Sequence, residues 1–230
     1  NWWYNFRDYE KDGLCEYGST DGSLIAAKWE SGMDNAVRFD HSEMVKSAQK
    51  VFSLNQESVD LNAYLYAEKI YLVKIAEMIA ENEAAKVYRA DAEALKIKIQ
   101  KQFYDEKSGW FYDTSISGDS FIHVMGCEGW TPLWANVATD KQAEAVKNNM
   151  INPNFFNTKV PFQTLSASHP SFNPDRGYWR GPLWLDQAYF GVVGLHNYGY
   201  HEEAYRATYK LIHNAEGVLG KGTSIRENYQ

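Results

Sequence analysis

The sequence holds only two cysteines, Cys15 and Cys127, among 230 residues. So sparse and distant a pair makes neither a disulfide framework nor a CxxC site, and it does not report the compartment. Histidine is scarce too: the six are scattered, with no HExxH and no short metal pair, which argues against a transition-metal centre. There is no GxSxG elbow and no phosphate-binding glycine loop. No apolar run approaches the length that crosses a bilayer, so no membrane partner is expected. Lysine and arginine total 23 against 30 acids, and no basic run interleaves with aromatics. A formal charge of -7 excludes nucleic acid as an expected partner, because phosphate binding needs a basic footprint. Glycine- or proline-rich linkers, sequence repeats and low-complexity tracts are missing, so one domain over 1–230 is expected. A starting methionine and a signal segment are missing at Asn1, and a fragment or processed product is expected.

What the chain has in excess is aromatic rings: 15%, with 8 Trp and 16 Tyr. Rings with a polar edge suit a site where a sugar is stacked and hydrogen-bonded at once, and they equally suit an aromatic helical core. Helical periodicity dominates the middle of the chain. Residues 41–53 read as a helix. A second runs from a cap at Ser58 or Asp60 to about Ala80, with Leu61, Leu65, Leu72, Ile75 and Ile79 on one stripe. A third covers 84–103, where Ala85, Tyr88, Ala92, Leu95, Ile99 and Phe103 recur at spacings of three and four. Phe103–Asp113 reads as a helix end running into a hairpin that turns at Gly109. Further helices are expected at Glu128–Trp134, Asp140–Met150, from Pro182 to about Tyr198, and at His201–Ala215. Residues 151–178 form a long polar loop with four of the six prolines, and long loops in a compact domain are usually functional.

Three stretches carry chemistry. Lys28–Asp40 packs acids around Trp29 and a flexible glycine, Gly32. An aromatic wall beside a carboxyl favours its protonated form, as general-acid work requires, although acidic loops near tryptophan are also common on surfaces. Asp8, Glu10, Asp12 and Glu16 alternate around Gly13, with the Leu14 carbonyl beyond it. Such spacing can fold around a hard cation or be only an Asp-rich turn, and it is not an EF-hand, whose closing Glu sits at position 12. Tyr178–Gln187 places Trp179, Arg180 and Trp184 around an expected helix start, with Arg180 facing sugar hydroxyls or a carboxylate, or else paired with Asp186. Asp34 and Glu227 remain as carboxylates in aromatic loops, the pair that glycoside hydrolysis needs if a closed fold brings them together.

The string Trp-Glu-Ser-Gly-Met-Asp-Asn at 29–35 resembles the acid-bearing loop of glycoside hydrolase family 63 and its trehalase-like relatives. The acidic loop at Asp8, Gln56–Asn62, Gly129–Trp134 with Trp179–Gln187, and Glu227-Asn228-Tyr229 follow in the family's order, so the resemblance covers nearly the whole chain. It implies an all-α (α/α)6 barrel with short β-hairpins between helices, incomplete here because six or seven helices are legible where twelve are needed. It implies an inverting α-glucosidase acting on small gluco-oligosaccharides, with Asp34 as general acid and Glu227 as general base. Trp29, Trp130, Trp179, Arg180 and Trp184 would form sugar-pocket walls. Ca2+ would sit at Asp8, Glu10, Asp12, Leu14 and Glu16, with Glu57 completing the shell. A small oligosaccharide, the remainder of its own barrel and a periplasmic or secreted location are implied partners and place. Other outcomes are a trehalase, a glucosylglycerate- or mannosylglycerate-type hydrolase, or a non-catalytic sugar-binding scaffold.

Overall fold

A computed structural model describes residues 1–48, 50–220, 224 and 226–229. Its frame is a series of helical hairpins. The first joins α3 (Val59–Met78) to α4 (Asn82–Gln102), and Ala80 takes a left-handed φ of 61° at the corner between them. The α4 stripe forms as its spacing predicts, with Ala85, Ala92, Leu95, Ile99 and Phe103 all buried. The α3 stripe holds only in its first half. Leu61 and Leu65 are buried, whereas Ile75 and Ile79 are 53% and 65% exposed and small Val73 and Ala76 face inward instead. Ser58 occupies the cap position of α3 without a side-chain cap bond.

A 3-10 turn, Cys127–Trp130, leads into the short α5 (Thr131–Trp134), and α6 (Asp140–Met150) follows. Thr139 starts α6 with a full capping box: its hydroxyl accepts from Gln142 N, and the Gln142 side chain accepts from Thr139 N. The last hairpin is α7 (Leu185–Asn197) with α8 (His201–Asn214). Helices α3, α5 and α7 pack against one another in a row, with α4 behind α3 and α8 behind α7. This arc matches part of the barrel layout expected from the resemblance.

Two short helices lie ahead of the arc, α1 (Trp2–Phe6) and α2 (Leu24–Glu30), so the opening residues are less loop-like than expected. The segment 41–53 corrects its helical reading outright. It is a β-hairpin, β2 (Met44–Ala48) with β3 (Val51–Leu54), extended by β1 (Gly18–Ser19) into an antiparallel sheet of order β1-β3-β2. Val45, Val51 and Phe52 favour the pleated surface, and Lys50, at φ 58°, reverses the chain. Two small ribbons complete the strands: β4 (Gln56–Glu57) pairs with β7 (Thr114–Ser115), and β5 (Tyr104–Asp105) with β6 (Trp110–Phe111). Gly109 turns the latter at φ 67°, as expected.

One core cluster runs from Leu14 to Tyr229 and is centred on aromatic rings. Trp110 stacks on Phe156 at 5.1 Å, and Trp130 meets Phe156 edge-on at 5.0 Å. Burying each such ring contributes roughly 1.5–3 kcal/mol. Phe156 and Phe162 belong to the 151–178 loop, so that loop is pinned to the core despite lacking helix or strand.

Candidate active site

The acid loop is built from its ends. Ser23 caps α2 by accepting from Ala26 N, and the helix stops at Glu30. Glu30 is a brace: it takes two bonds from buried Arg7, at 2.9 and 2.8 Å, and one from Gly18 N at 2.6 Å. Gly32 turns the chain at φ 76°, and Ser31 Oγ accepts from Met33 N. Met33 is buried against Cys127 Sγ and the Arg38 guanidinium. Asp34 therefore stands half-buried on a short span fixed on both sides.

Arg38 is the anchor on the far side, and reasoning from the sequence missed it. Its guanidinium donates to Asp60 at 2.6 and 3.0 Å and to Asp113 at 3.1 and 3.3 Å, with all three residues buried. Gln56 Nε2 and Val59 N also donate to Asp113. The cluster joins the acid loop to the first turn of α3 and to the strand edge before β7. Beside it, burial pushes the Glu128 carboxyl up to about 8 despite the Arg38 charge. The signal for this anchor was present, an arginine four residues after the acid, but its partners lie far along the chain.

Asn35 staples the acid loop to the 177–180 turn. Its Nδ2 donates to Gly177 O at 3.0 Å, its Oδ1 accepts from Trp179 N at 3.0 Å, and its carbonyl accepts from Arg180 Nε at 2.7 Å. Arg180 Nη2 reaches Asp40 at 2.5 Å, so its carboxylate partner is Asp40 and not Asp186. Pro182 lies ahead of α7 rather than in its first turn, because Leu183 instead exchanges two backbone bonds with Tyr229, at 2.7 and 2.8 Å. That exchange, with Tyr229 buried, brings Glu227 to the same turn. Tyr178, held at a left-handed φ of 60°, donates its hydroxyl to Glu227 Oε1 at 3.0 Å. Burial, then this bond and the charges of Glu227 and Asp34, raise the Tyr178 phenol above its usual range.

Aromatic walls surround this turn. Trp179 and Trp184 stack at 3.8 Å and 14°, and Tyr178 meets Trp184 edge-on at 5.0 Å. Trp184 Nε1 donates to Tyr178 O, whereas the buried Trp179 Nε1 has no partner among the described residues. Two expected wall residues sit elsewhere. Trp130 has no exposed surface: its ring is core and its Nε1 donates to Gln187 O at 3.0 Å, so no ligand touches it. Trp29 projects outward at 64% exposed.

The acidic loop lies at the other end of this chain segment. Asp8 Oδ2 accepts from Gly13 N, Asp12 Oδ1 from Leu14 N, and Glu16 Oε2 from Tyr9 N. Glu57 Oε2 accepts from Thr114 Oγ1 and from Gln102. Asp8 Oδ1, Glu16 Oε1 and Glu57 Oε1 are buried with no hydrogen-bond partner among the described residues; Ser53 sits close to Glu16 without a bond of normal geometry. Burial, then the neighbouring acids, pushes Glu16 up to about 9 and Glu57 up to about 8, and Asp8 is raised for the same reasons. Glu10 is exposed, and Lys98 Nζ donates to the Asp12 carbonyl. Among the described residues, no three acidic, histidine or cysteine side chains stand together as a metal-holding group.

The family model of the mannosylglycerate hydrolase MGH1-like glycoside hydrolase domain matches residues 1–230. The chain belongs to that family. Mannosylglycerate hydrolase of Rubrobacter radiotolerans is 24% identical over 260 aligned residues, covering 91% of this chain and 57% of the relative. A periplasmic trehalase of Escherichia coli O1:K1 is 23% identical over 175 residues, covering 74% of this chain and 29% of the relative. The crystal structure of a GH63 mannosylglycerate hydrolase from Thermus thermophilus, in complex with glucose, superposes with a TM-score of 0.72 at 19% identity, over 91% of this chain and 56% of that one. The glycoside hydrolase domain seen here thus has the (α/α)6 type of fold and spans little more than half the length of the mannosylglycerate hydrolases it matches.

Proposed function

We propose that this chain carries the acid–base pair of an inverting glycoside hydrolase that cleaves α-glucosidic bonds of small gluco-oligosaccharides. Asp34 is the general acid and Glu227 the general base. The observation that carries the reading is the 177–180 turn: its Tyr178 bonds Glu227 directly, and Asn35, the residue after Asp34, staples the same turn to the acid loop. In such a reaction one carboxylic acid protonates the leaving oxygen while the opposite carboxylate takes a proton from the attacking water. Tyr178 occupies Glu227 Oε1, and among the described residues no hydrogen bond is made to Oε2, the oxygen that would take that water. Trp184, half-buried over Trp179, and Arg180 are the sugar-facing groups. Inversion requires room for water, so the two carboxyl groups should stand roughly 6.5–9.5 Å apart in the substrate complex. Hydrolysis of nigerose, kojibiose and trehalose by the wild type, set beside Asp34→Asn and Glu227→Gln, tests the assignment; full turnover in either variant sinks it.

A second substrate reading, α,α-trehalose or an α-glycosylglycerate, draws support from the names of the relatives. The periplasmic relative likewise supports an exported location, and no helix among the described residues is long and apolar enough to cross a membrane.

The acidic loop is proposed as a structural Ca2+ site. The donors suit Ca2+ in kind, since three buried carboxylate oxygens from Asp8, Glu16 and Glu57 accept no hydrogen bond from the described residues; they do not stand together as a metal-holding group, so the ion would have to draw them together. Asp12, Glu10 and the Leu14 carbonyl complete the candidate set. The ion would supply charge compensation and hold the loop; no step of the reaction passes through it.

A further inference from the structure

The corner between α7 and α8 brings two imidazoles together. α7 ends at Asn197, and Gly199, at φ 80°, turns the chain towards α8, which starts at His201. Gly199 N donates to His196 O at 3.1 Å and Tyr200 N to Leu195 O at 3.0 Å, so the backbone closes tightly. Two side chains pin it to the helical arc: Asn197 Nδ2 donates to Trp134 O at 2.9 Å, and the Tyr198 hydroxyl donates to Ala138 O at 2.7 Å. His196, in the last turn of α7, and His201, the first residue of α8, thereby meet across the turn, Nδ1 to Nδ1 at 2.9 Å. Five residues apart, they match no pair spacing within one helix, so the sequence shows no metal pair there.

The pair has the geometry of a chelate. A straight N–H···N bond of this length would hold the ring centroids about 5 Å apart. They stand 4.3 Å apart, with the planes at 53°, so the rings meet bent rather than in line. At a metal–nitrogen distance of about 2.0–2.1 Å, two donors at a right angle lie about 2.9 Å apart, with their ring centroids about 4.5 Å apart, whereas tetrahedral donors lie about 3.3 Å apart. The observed 2.9 and 4.3 Å fit the right angle. Cu2+ and Ni2+ take such tetragonal sites, and Zn2+ favours the tetrahedron. Both rings are exposed, so a cation reaches them from solvent and water completes its shell. The local charge also suits a cation. Burial, then the charges of Glu144, Asp140 and Glu203, raise the phenol of Tyr200, the residue before His201. Lys147, with Nζ 5.0 Å from the Tyr200 ring, is the opposing charge.

We propose that His196 and His201 form a two-imidazole site for a divalent transition-metal cation of tetragonal geometry, Cu2+ ahead of Ni2+ and Zn2+, which clamps the corner between α7 and α8. Without the cation, one Nδ1 carries a hydrogen and the other accepts it. On binding, both Nδ1 lone pairs go to the metal and that hydrogen moves to Nε2 of its ring. The site rests on neither Asp34 nor Glu227, and its test does not pass through hydrolysis. Protein without an affinity tag, with Ca2+ in excess to occupy the acidic loop, is titrated calorimetrically with Cu2+, Ni2+ and Zn2+ in turn, and the Cu2+ complex is examined by electron paramagnetic resonance. One Cu2+ per chain should bind at least about tenfold tighter than Zn2+, with nitrogen splitting from two imidazoles. His196→Gln and His201→Gln should each weaken Cu2+ binding at least about tenfold, because each removes half of the chelate. His213→Gln, at an exposed histidine further along α8, should leave it unchanged. Cu2+ binding that survives either substitution in the pair, Zn2+ bound as tightly as Cu2+, or no saturable Cu2+ binding overturns the proposal.

Discussion

Raising the pH of the protein with its divalent cations removed should destabilise it, and Ca2+ should cancel the effect. Glu16 and Glu57 are buried and hold pKa values of about 9 and about 8, against an ordinary value of 4.5. A carboxyl whose folded pKa is raised keeps its proton in the folded state after the unfolded chain has lost it. Its stabilising share is present in full below about pH 4.5 and is lost as pH rises towards 8–9. Each such group tilts stability by about 1.4 kcal/mol per pH unit at most. Two groups over the two units from pH 5 to 7 give an upper bound of about 6 kcal/mol, lessened by whatever water reaches the loop. With Ca2+ on the unpartnered oxygens the carboxylates are ionised in the folded state too, and the slope vanishes. Ca2+ at a hundredfold excess over its Kd adds about 2.7 kcal/mol, which for a chain of this size is a Tm rise of roughly 5–11 °C. Calorimetric melting from pH 5 to 8, with chelator and with Ca2+, is the assay. Identical pH profiles in the two buffers would refute the Ca2+ site, and a flat profile with chelator would refute the buried-acid argument beneath it.

Arg38→Met should cost about 3–5 kcal/mol in denaturant unfolding, because it leaves Asp60 and Asp113 buried without their cation; a loss below about 1 kcal/mol would show that the cluster is not an anchor. Tyr178→Phe should lower kcat roughly ten- to a hundredfold with little change in Tm, since a hydrogen bond to a charged group is worth about 1.5–3 kcal/mol; unchanged kcat would remove Tyr178 from the site. Trp184→Ala should raise KM more than it lowers Tm by loosening the stack on Trp179, and a loss of folding alone would make the stack structural.

Elements governed by local chemistry were legible in the sequence. Asp140–Met150 appeared within its bounds because its stripe and its cap are contiguous, and the Gly109 turn because only one residue there takes positive φ easily. The 41–53 hairpin was not legible, since Met44, Val45, Val51, Phe52 and Leu54 mimic helical spacing across a turn whose residue, Lys50, carries no turn signature. Trp130 and Trp184 look alike in sequence, each two residues from a proline. One is core and the other half-exposed because only the first points at Phe156 and Phe162. Arg180 found Asp40 rather than nearby Asp186, and Arg38 found Asp60 and Asp113, pairings decided by the fold and not by proximity along the chain.

The central claim is a single displacement between Asp34 and Glu227, and the anomer of the freshly released sugar tests it most directly. Proton NMR within the first minutes of hydrolysis of an α-linked glucoside should show β-glucose, with Asp34→Asn and Glu227→Gln each lowering turnover by orders of magnitude while Tm is held. α-Glucose appearing first would contradict the account, because it requires a covalent intermediate that two carboxyl groups spaced for an intervening water do not form.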